Sequence, residues 1–205
     1  MARAALRRKL PALEEAFTGR FDDHHGFLLG RMLARVDAIN ADIAAVDVQI
    51  EAQLAPFADV VQRLDEIPGI APVVAAAIIA EIGVDMTRFP TPAHLSSWAK
   101  FAPRVASSAG KSKGSGSTGH GNPYLARALG EVAVNAGRSP TFLGARYRRI
   151  AKRRGSRRAV VAVGRSVLVI IWHLLQHPDT HYRDLGRDHY DRQRDTEAVR
   201  RQHVR

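Results

Sequence analysis

Three features of the 205-residue chain predict a mainly α-helical fold. An apolar seam repeats at alternating steps of three and four residues. Two later segments open on helix-start signals, Pro72 behind a Pro-Gly turn and the pair Asn122-Pro123. Few stretches alternate apolar and polar residues as half-buried strands do. The expected architecture is an N-terminal coiled-coil arm over 1–63, a compact helical domain with a helix-hairpin-helix-like element over 64–178, and a charged tail over 179–205.

The seam runs through Leu29, Met32, Val36, Ile39, Ile43, Val46 and Ile50. Phe57, Val60 and Leu64 rejoin its register after a gap at Gln53. A narrow stripe of this kind needs a second helix to cover it. An earlier helical segment, Leu6–Leu10–Leu13–Phe17–Phe21, could fold back on it, with the turn in "DDHHG" at 22–26, or a second copy of the chain could supply the cover. The seam over 29–64 therefore predicts either an internal hairpin or a homo-oligomer, and nothing in this arm resembles a catalytic set.

In "LDEIPGIAPVVAAAIIAEIG" at 64–83, Pro68-Gly69-Ile70 precedes a small-residue helix beginning near Pro72. Two readings fit. A helix-hairpin-helix would aim backbone N–H groups near Gly69 at a phosphate. A plain αα-corner would use the small residues for close packing. A short helix from about Pro92 to Lys100 follows, then the tract "SSAGKSKGSGSTGHGN" from Ser107 to Asn122. Asn122 is a good N-cap, and Pro123 suits the first helical position. That helix should end near Gly137. Another, from Ser139-Pro140, carries "ARYRRIAKRRGSRRA", and a buried apolar helix over 159–176 closes the core before "QHPD". The tail beyond is expected to be loosely attached.

Charge narrows the function. Residues 1–65 hold 8 Lys/Arg against 10 Asp/Glu, whereas residues 66–205 hold 23 against 10. Positive charge segregated in this way favours a polyanionic partner, most simply DNA or RNA. Eight Arg/Lys fall among the 13 residues from Arg146 to Arg158, with no acidic residue between them. A solvated helix face would interleave Glu; this density is what phosphate neutralisation needs. Arg148, Arg149, Lys152, Arg153 and Arg157 are the expected backbone-binding residues. The absence of cysteine excludes disulfides and thiolate metal sites and fits a cytoplasmic location. The N-terminus has no signal-peptide pattern, and the most apolar stretch carries Arg165 in its middle, so no membrane partner is expected.

His173, His177 and His181 recur every four residues, but Pro178 breaks the spacing and no carboxylate stands clearly beside them. No metal site is expected there. Six of the ten carboxylates in 66–205 lie in the tail, so no two-metal set is evident. The serine-glycine tract allows three readings: a phosphate cradle, a nucleophile loop or a linker. Lys111, Lys113 and a glycine-rich nest could hold a phosphodiester beside Ser107 or Ser108. His120 lies within the tract, but no His/Asp relay is evident.

The order of these pieces adds a resemblance. "IPGIAPVVAAAIIAEIG", "FPTPAHLSSWAKFAPRVASSAGKSKGSGSTGHGNPYLARALGEVA", "YRRIAKRRGSRRAVVAVGRSVLVIIWHLL" and "YRDLG" together resemble the C-terminal transposase domain of insertion-sequence transposases of the 110/116/902 type, over roughly 64–192. The resemblance implies a DNA recombinase whose serine attacks a DNA phosphodiester and forms a covalent serine–DNA link, guided by a structured RNA. Ser108, in "Ser108-Ala109-Gly110-Lys111", matches the family's serine, and Ser107 is the second choice. Full-length members also carry an N-terminal RuvC-like domain with an acidic metal-binding set, and any Mg²⁺ is expected there. Residues 1–63 are helical in pattern and cannot encode that domain, so the chain reads as the C-terminal portion. The alternative is a catalytically inactive truncated remnant that binds nucleic acid and self-associates.

Overall fold

The structure is a computed structural model of the whole chain. It describes residues 7–19, 21–103, 106–108, 111–113 and 118–193, with only the backbone at 17–18, 106–108 and 111–113. The fold is mainly α, as the sequence predicts, and divides into two compact units, Met1–Ala55 and Pro56–Arg205.

The first unit holds α1 (Leu10–Thr18) and α2 (Asp23–Leu54). The "DDHHG" tract begins a helix and does not form the anticipated turn. Asp22 is the N-cap of α2, its carboxylate accepting from the His25 amide at 3.0 Å, and Gly26 lies inside the first turns. The seven seam residues from Leu29 to Ile50 are each 45–63% exposed, so α1 does not cover them. Pro56 then ends the seam's helical run. It sits in a 3-10 turn over Ala55–Phe57, where proline's missing N–H and its ring prevent an α-helix from continuing. Leu64, the last expected seam position, is fully buried in the core of the second unit.

The second unit is built around α8 (Ser156–Gln176). Ala159, Val163, Gly164, Val167, Leu168, Ile171 and Leu174 form its buried stripe, spaced as one helix face. Around it pack α3 (Ala58–Asp65), α5 (Pro92–Trp98), α6 (Pro123–Arg138) and α7 (Phe142–Arg154), with α4 (Pro72–Ile82) against α3 and α6. By length and composition α8 could cross a membrane; here its stripe is the centre of a helical core, and Arg165 stands exposed. Arg63 on α3 donates to the carbonyls of Leu174 and His177, placing a cation at the negative end of α8.

Gly69 forms the corner between α3 and α4 with φ +94°. A Cβ there would lie 2.7 Å from the Val132 carbonyl oxygen and 3.1 Å from the Ala136 nitrogen. The corner therefore packs directly on the backbone of α6.

The tail beyond Pro178 was expected to be loosely attached; its described part is tied down at several points. Glu66 accepts from the Tyr182 amide at 2.8 Å and pairs with His181 Nδ1 at 2.6 Å. Asp184 accepts from the Phe142 amide at 3.0 Å, so a carboxylate from the "YRDLG" segment caps the positive end of α7. Tyr190, in a helical turn over 189–193, stacks on Phe142 with ring centroids 5.5 Å apart. These partners lie 42 to 116 residues away in sequence, where local spacing gives no sign of them.

Two measurements check this packing. Gly69→Ala should lower stability by about 2 kcal/mol or more in denaturant unfolding, because positive φ and a backbone collision combine there. The His181 and Tyr182 hydrogen bonds, with some support from Arg63, hold the Glu66 carboxyl below its ordinary pKa despite opposing desolvation. A depressed carboxyl contributes stability above its unfolded value, about 4.3, and loses it as pH falls through the folded value. Amide exchange at Tyr182 should accelerate across that acidic window once corrected for intrinsic rate, and Glu66→Ala should already exchange fast at neutral pH.

Candidate nucleic-acid interface and serine hairpin

The serine-glycine tract leaves and re-enters the core at adjacent points. Phe101 is buried, its ring packed where a Cβ on Gly164 of α8 would stand. At the return, a Cβ on Gly121 would lie 2.9 Å from the Ala99 carbonyl oxygen and 3.0 Å from Lys100 Cγ. Asn122 then caps α6, accepting from the Tyr124 and Leu125 amides at 2.9 and 3.1 Å, and its amide donates to the Glu81 carboxylate on α4. Lys100, at the exit, adopts φ +61°, a left-handed conformation costly for a residue with a Cβ. The base of the excursion is fixed by close backbone approach and one cap.

Between these anchors the backbone forms an antiparallel hairpin of β1 (Ala106–Ser108) and β2 (Lys111–Lys113), where a loop was expected. Its register pairs Ala106 with Lys113, Ser107 with Ser112 and Ser108 with Lys111. Position 108 thus stands directly opposite position 111. By strand alternation, positions 106, 108, 111 and 113 share one face of the ribbon, and 107 and 112 the other. The register brings Ser108 together with both predicted lysine positions and leaves Ser107 with Ser112. The side chains of Ser107, Ser108, Lys111 and Lys113 lie outside the described residues, as do Ala109 and Gly110.

The predicted basic residues separate into different tasks. Arg148 Nη1 donates to the carbonyls of Gly137 and Ser139 at 2.8 and 2.9 Å, bracing the turn between α6 and α7. Arg149 lies over the Tyr190 ring, 4.5 Å from its centroid. Lys152 and Arg153 are exposed in the last turn of α7, and Arg157 is exposed in the first turn of α8. Arg146 and Arg154 line the same side of α7 as Arg149 and Arg153. Tyr190 was not singled out as a functional residue, because its pairing with Arg146 spans 44 positions. Gly69 faces α6 instead of the basic segment.

Charge is unevenly compensated across this surface. Among the described residues, none of Arg146, Arg149, Lys152, Arg153, Arg154 or Arg157 forms an ion pair. Lys152, Arg153 and Arg154 at the end of α7 suit that helix's dipole, whereas Arg157 and Arg158 at the start of α8 oppose theirs. An anion near Gly155 would relieve both the mutual repulsion and the unfavourable dipole contact.

Among the described residues, no three His, Asp or Glu side chains gather in a way that could hold a metal ion. His173 and His177 stack on each other with centroids 6.3 Å apart, while His181 engages Glu66.

The chain has no match among curated proteins. Residues 61–148 match the family described as transposase IS116/IS110/IS902. The match takes in the Gly69 corner, the serine hairpin and the first half of α7, and stops before Arg149, Lys152, Arg153 and Arg157. With its helical corner, its serine-bearing excursion and the start of its basic helix in this order, the chain is similar over residues 61–148 to transposases of the IS116/IS110/IS902 family.

Proposed function

We propose that the second unit binds nucleic acid through the end of α7 and the start of α8, and that Ser108 is the nucleophile of a serine-dependent DNA transposition reaction. The family domain supports a role in transposition of insertion sequences. The observation that carries the binding site is the set of arginines on α7 and α8 that lack carboxylate partners among the described residues. Unpaired guanidinium groups at this density favour phosphates and release counterions on binding.

In this reading the DNA backbone crosses the basic surface and reaches the serine hairpin. The Ser108 hydroxyl gives up its proton as its oxygen bonds to phosphorus. One sugar oxygen leaves and takes up a proton, so the phosphodiester is exchanged for a serine–phosphate ester without net change in bond count. Lys111, opposite Ser108 in the hairpin register, and Lys113, two positions along the same face, would offset charge on the phosphate. Arg149, Lys152, Arg153 and Arg157 would position the strand, with Arg148 supporting their helix through the α6–α7 turn. A guide RNA would meet the same cationic chemistry, and a cytoplasmic location would give access to both polymers. No step is assigned to a metal held by this chain.

The uncovered seam of α2 completes the proposal. Seven half-exposed apolar residues on a 3,4 repeat fit a second copy of the same helix. The oligomer would present two serine hairpins, as exchange of two strands requires.

Two experiments test these readings. Wild-type protein should bind duplex DNA with an affinity that falls steeply as salt rises, and should form a denaturation-resistant protein–DNA adduct that Ser108→Ala abolishes. Binding without an adduct would support the inactive-remnant reading. Ile43→Asp with Val46→Asp should reduce the light-scattering mass to that of the monomer, 22.5 kDa. An unchanged oligomeric mass would remove the coiled-coil partner.

A further inference from the structure

A cleft of about 220 Å³ lies between α7 and the helical turn over 189–193. Arg146, Arg149, Ile150, Arg153, Arg154 and Tyr190 line it. Four guanidinium groups thus share a small space with one aromatic ring. Arg146 donates to the Tyr190 hydroxyl at 3.0 Å, yet its Nε is buried without a hydrogen-bond partner. A buried donor left in that state costs free energy that an acceptor entering the cleft would recover.

Among the described residues, nearby carboxylates do not neutralise the cluster. Asp184 accepts from Phe142, Tyr182 and Gly186, while Asp188 pairs with Arg187. Asp191 is exposed and forms no ion pair with any of the four arginines. The ligand class follows from charge, size and donor geometry. Pockets for drug-sized molecules run to roughly 300–1,000 Å³, which exceeds this cleft. Guanidinium forks match phosphate oxygens two at a time.

Tyr190 gives the cleft its order. Its ring stacks on Phe142 and carries Arg149 on its face. His189 meets Phe142 edge-on at 5.0 Å, fixing the same turn from the other side. Arg146 and Arg149 are therefore held before any ligand arrives, which lowers the entropy cost of binding.

We propose that this cleft seats one phosphate group of a nucleic-acid strand, with Arg146, Arg149 and Arg153 as its ligands and Tyr190 as the residue that positions the first two. The inference rests on the nucleic-acid reading above and extends it to a tail residue beyond the family match. The phosphate could be an internal diester or the phosphorylated end of a strand.

The test uses the full chain and two versions of one fluorescent duplex, 5′-hydroxyl and 5′-phosphate, titrated across a salt series. Arg149→Gln with Arg153→Gln should weaken binding about tenfold and lower the salt slope by about one to two. Arg127→Gln with Arg165→Gln removes the same charge from exposed positions outside the cleft and should change affinity less than about threefold. Tyr190→Ala should lose at least about fivefold, and Tyr190→Phe should restore most of it because the ring is kept. Circular dichroism establishes that each variant is folded. A preference for the 5′-phosphate duplex that vanishes in the cleft variant assigns a strand end; equal losses on both duplexes assign an internal diester. Equal losses from both double variants, or a Tyr190→Ala protein that binds like wild type, would overturn the seat and leave DNA binding intact. A wild-type protein that binds neither duplex would overturn the nucleic-acid reading itself.

Discussion

The apolar stripe of α8 is the constraint from which the second unit follows. A helix with seven buried positions on one side must be covered along its length, and α3, α5, α6 and α7 provide the cover. Each fully buried Val, Leu or Ile contributes roughly 1.5–3 kcal/mol relative to exposure, far more than a surface ion pair returns. Packing against α8 therefore fixes α7, and the side of α7 turned away from the core is the side that carries arginine. The cationic surface is a by-product of where the hydrophobic face has to go, yet its composition is not: a merely soluble helix would intersperse carboxylates.

Electrostatics then divides labour along one short helix. Asp184 stands at the beginning of α7 and basic residues crowd its end, both in accord with the peptide dipole. Beyond Gly155 the pattern reverses, with Arg157 and Arg158 opening α8. That reversal concentrates unfavourable positive potential at the α7–α8 junction. A folded protein that keeps such a junction tolerates some local instability, which the proposed nucleic-acid partner would offset.

Much of this architecture was legible in local sequence. Asn122-Pro123 announced α6, Pro72 announced α4, and the apolar run after Arg158 announced α8, because capping and periodicity act within a few residues. The serine hairpin was not legible. Its strands are three residues each and rich in Ser and Lys, so neither β-propensity nor alternation marks them. The tail was misjudged for a different reason. Its charged residues looked solvated, but Asp184 and Tyr190 find partners on α7, and His181 and Tyr182 find Glu66. Arg148 shows the limit of arguing from density alone: among so many arginines, only geometry shows that one of them braces a turn.

The pinched base of the serine excursion has an evolutionary corollary. Because Ala99 and Gly121 meet backbone to backbone, the excursion is closed at its base by the globule itself. Lengthening such a loop costs only a slowly growing entropy, about 0.6 kcal/mol per doubling. On the proposed reading, natural variation could therefore reshape or silence the serine segment while the scaffold goes on folding and binding nucleic acid. Loss of chemistry and loss of grip would be inherited as separate traits.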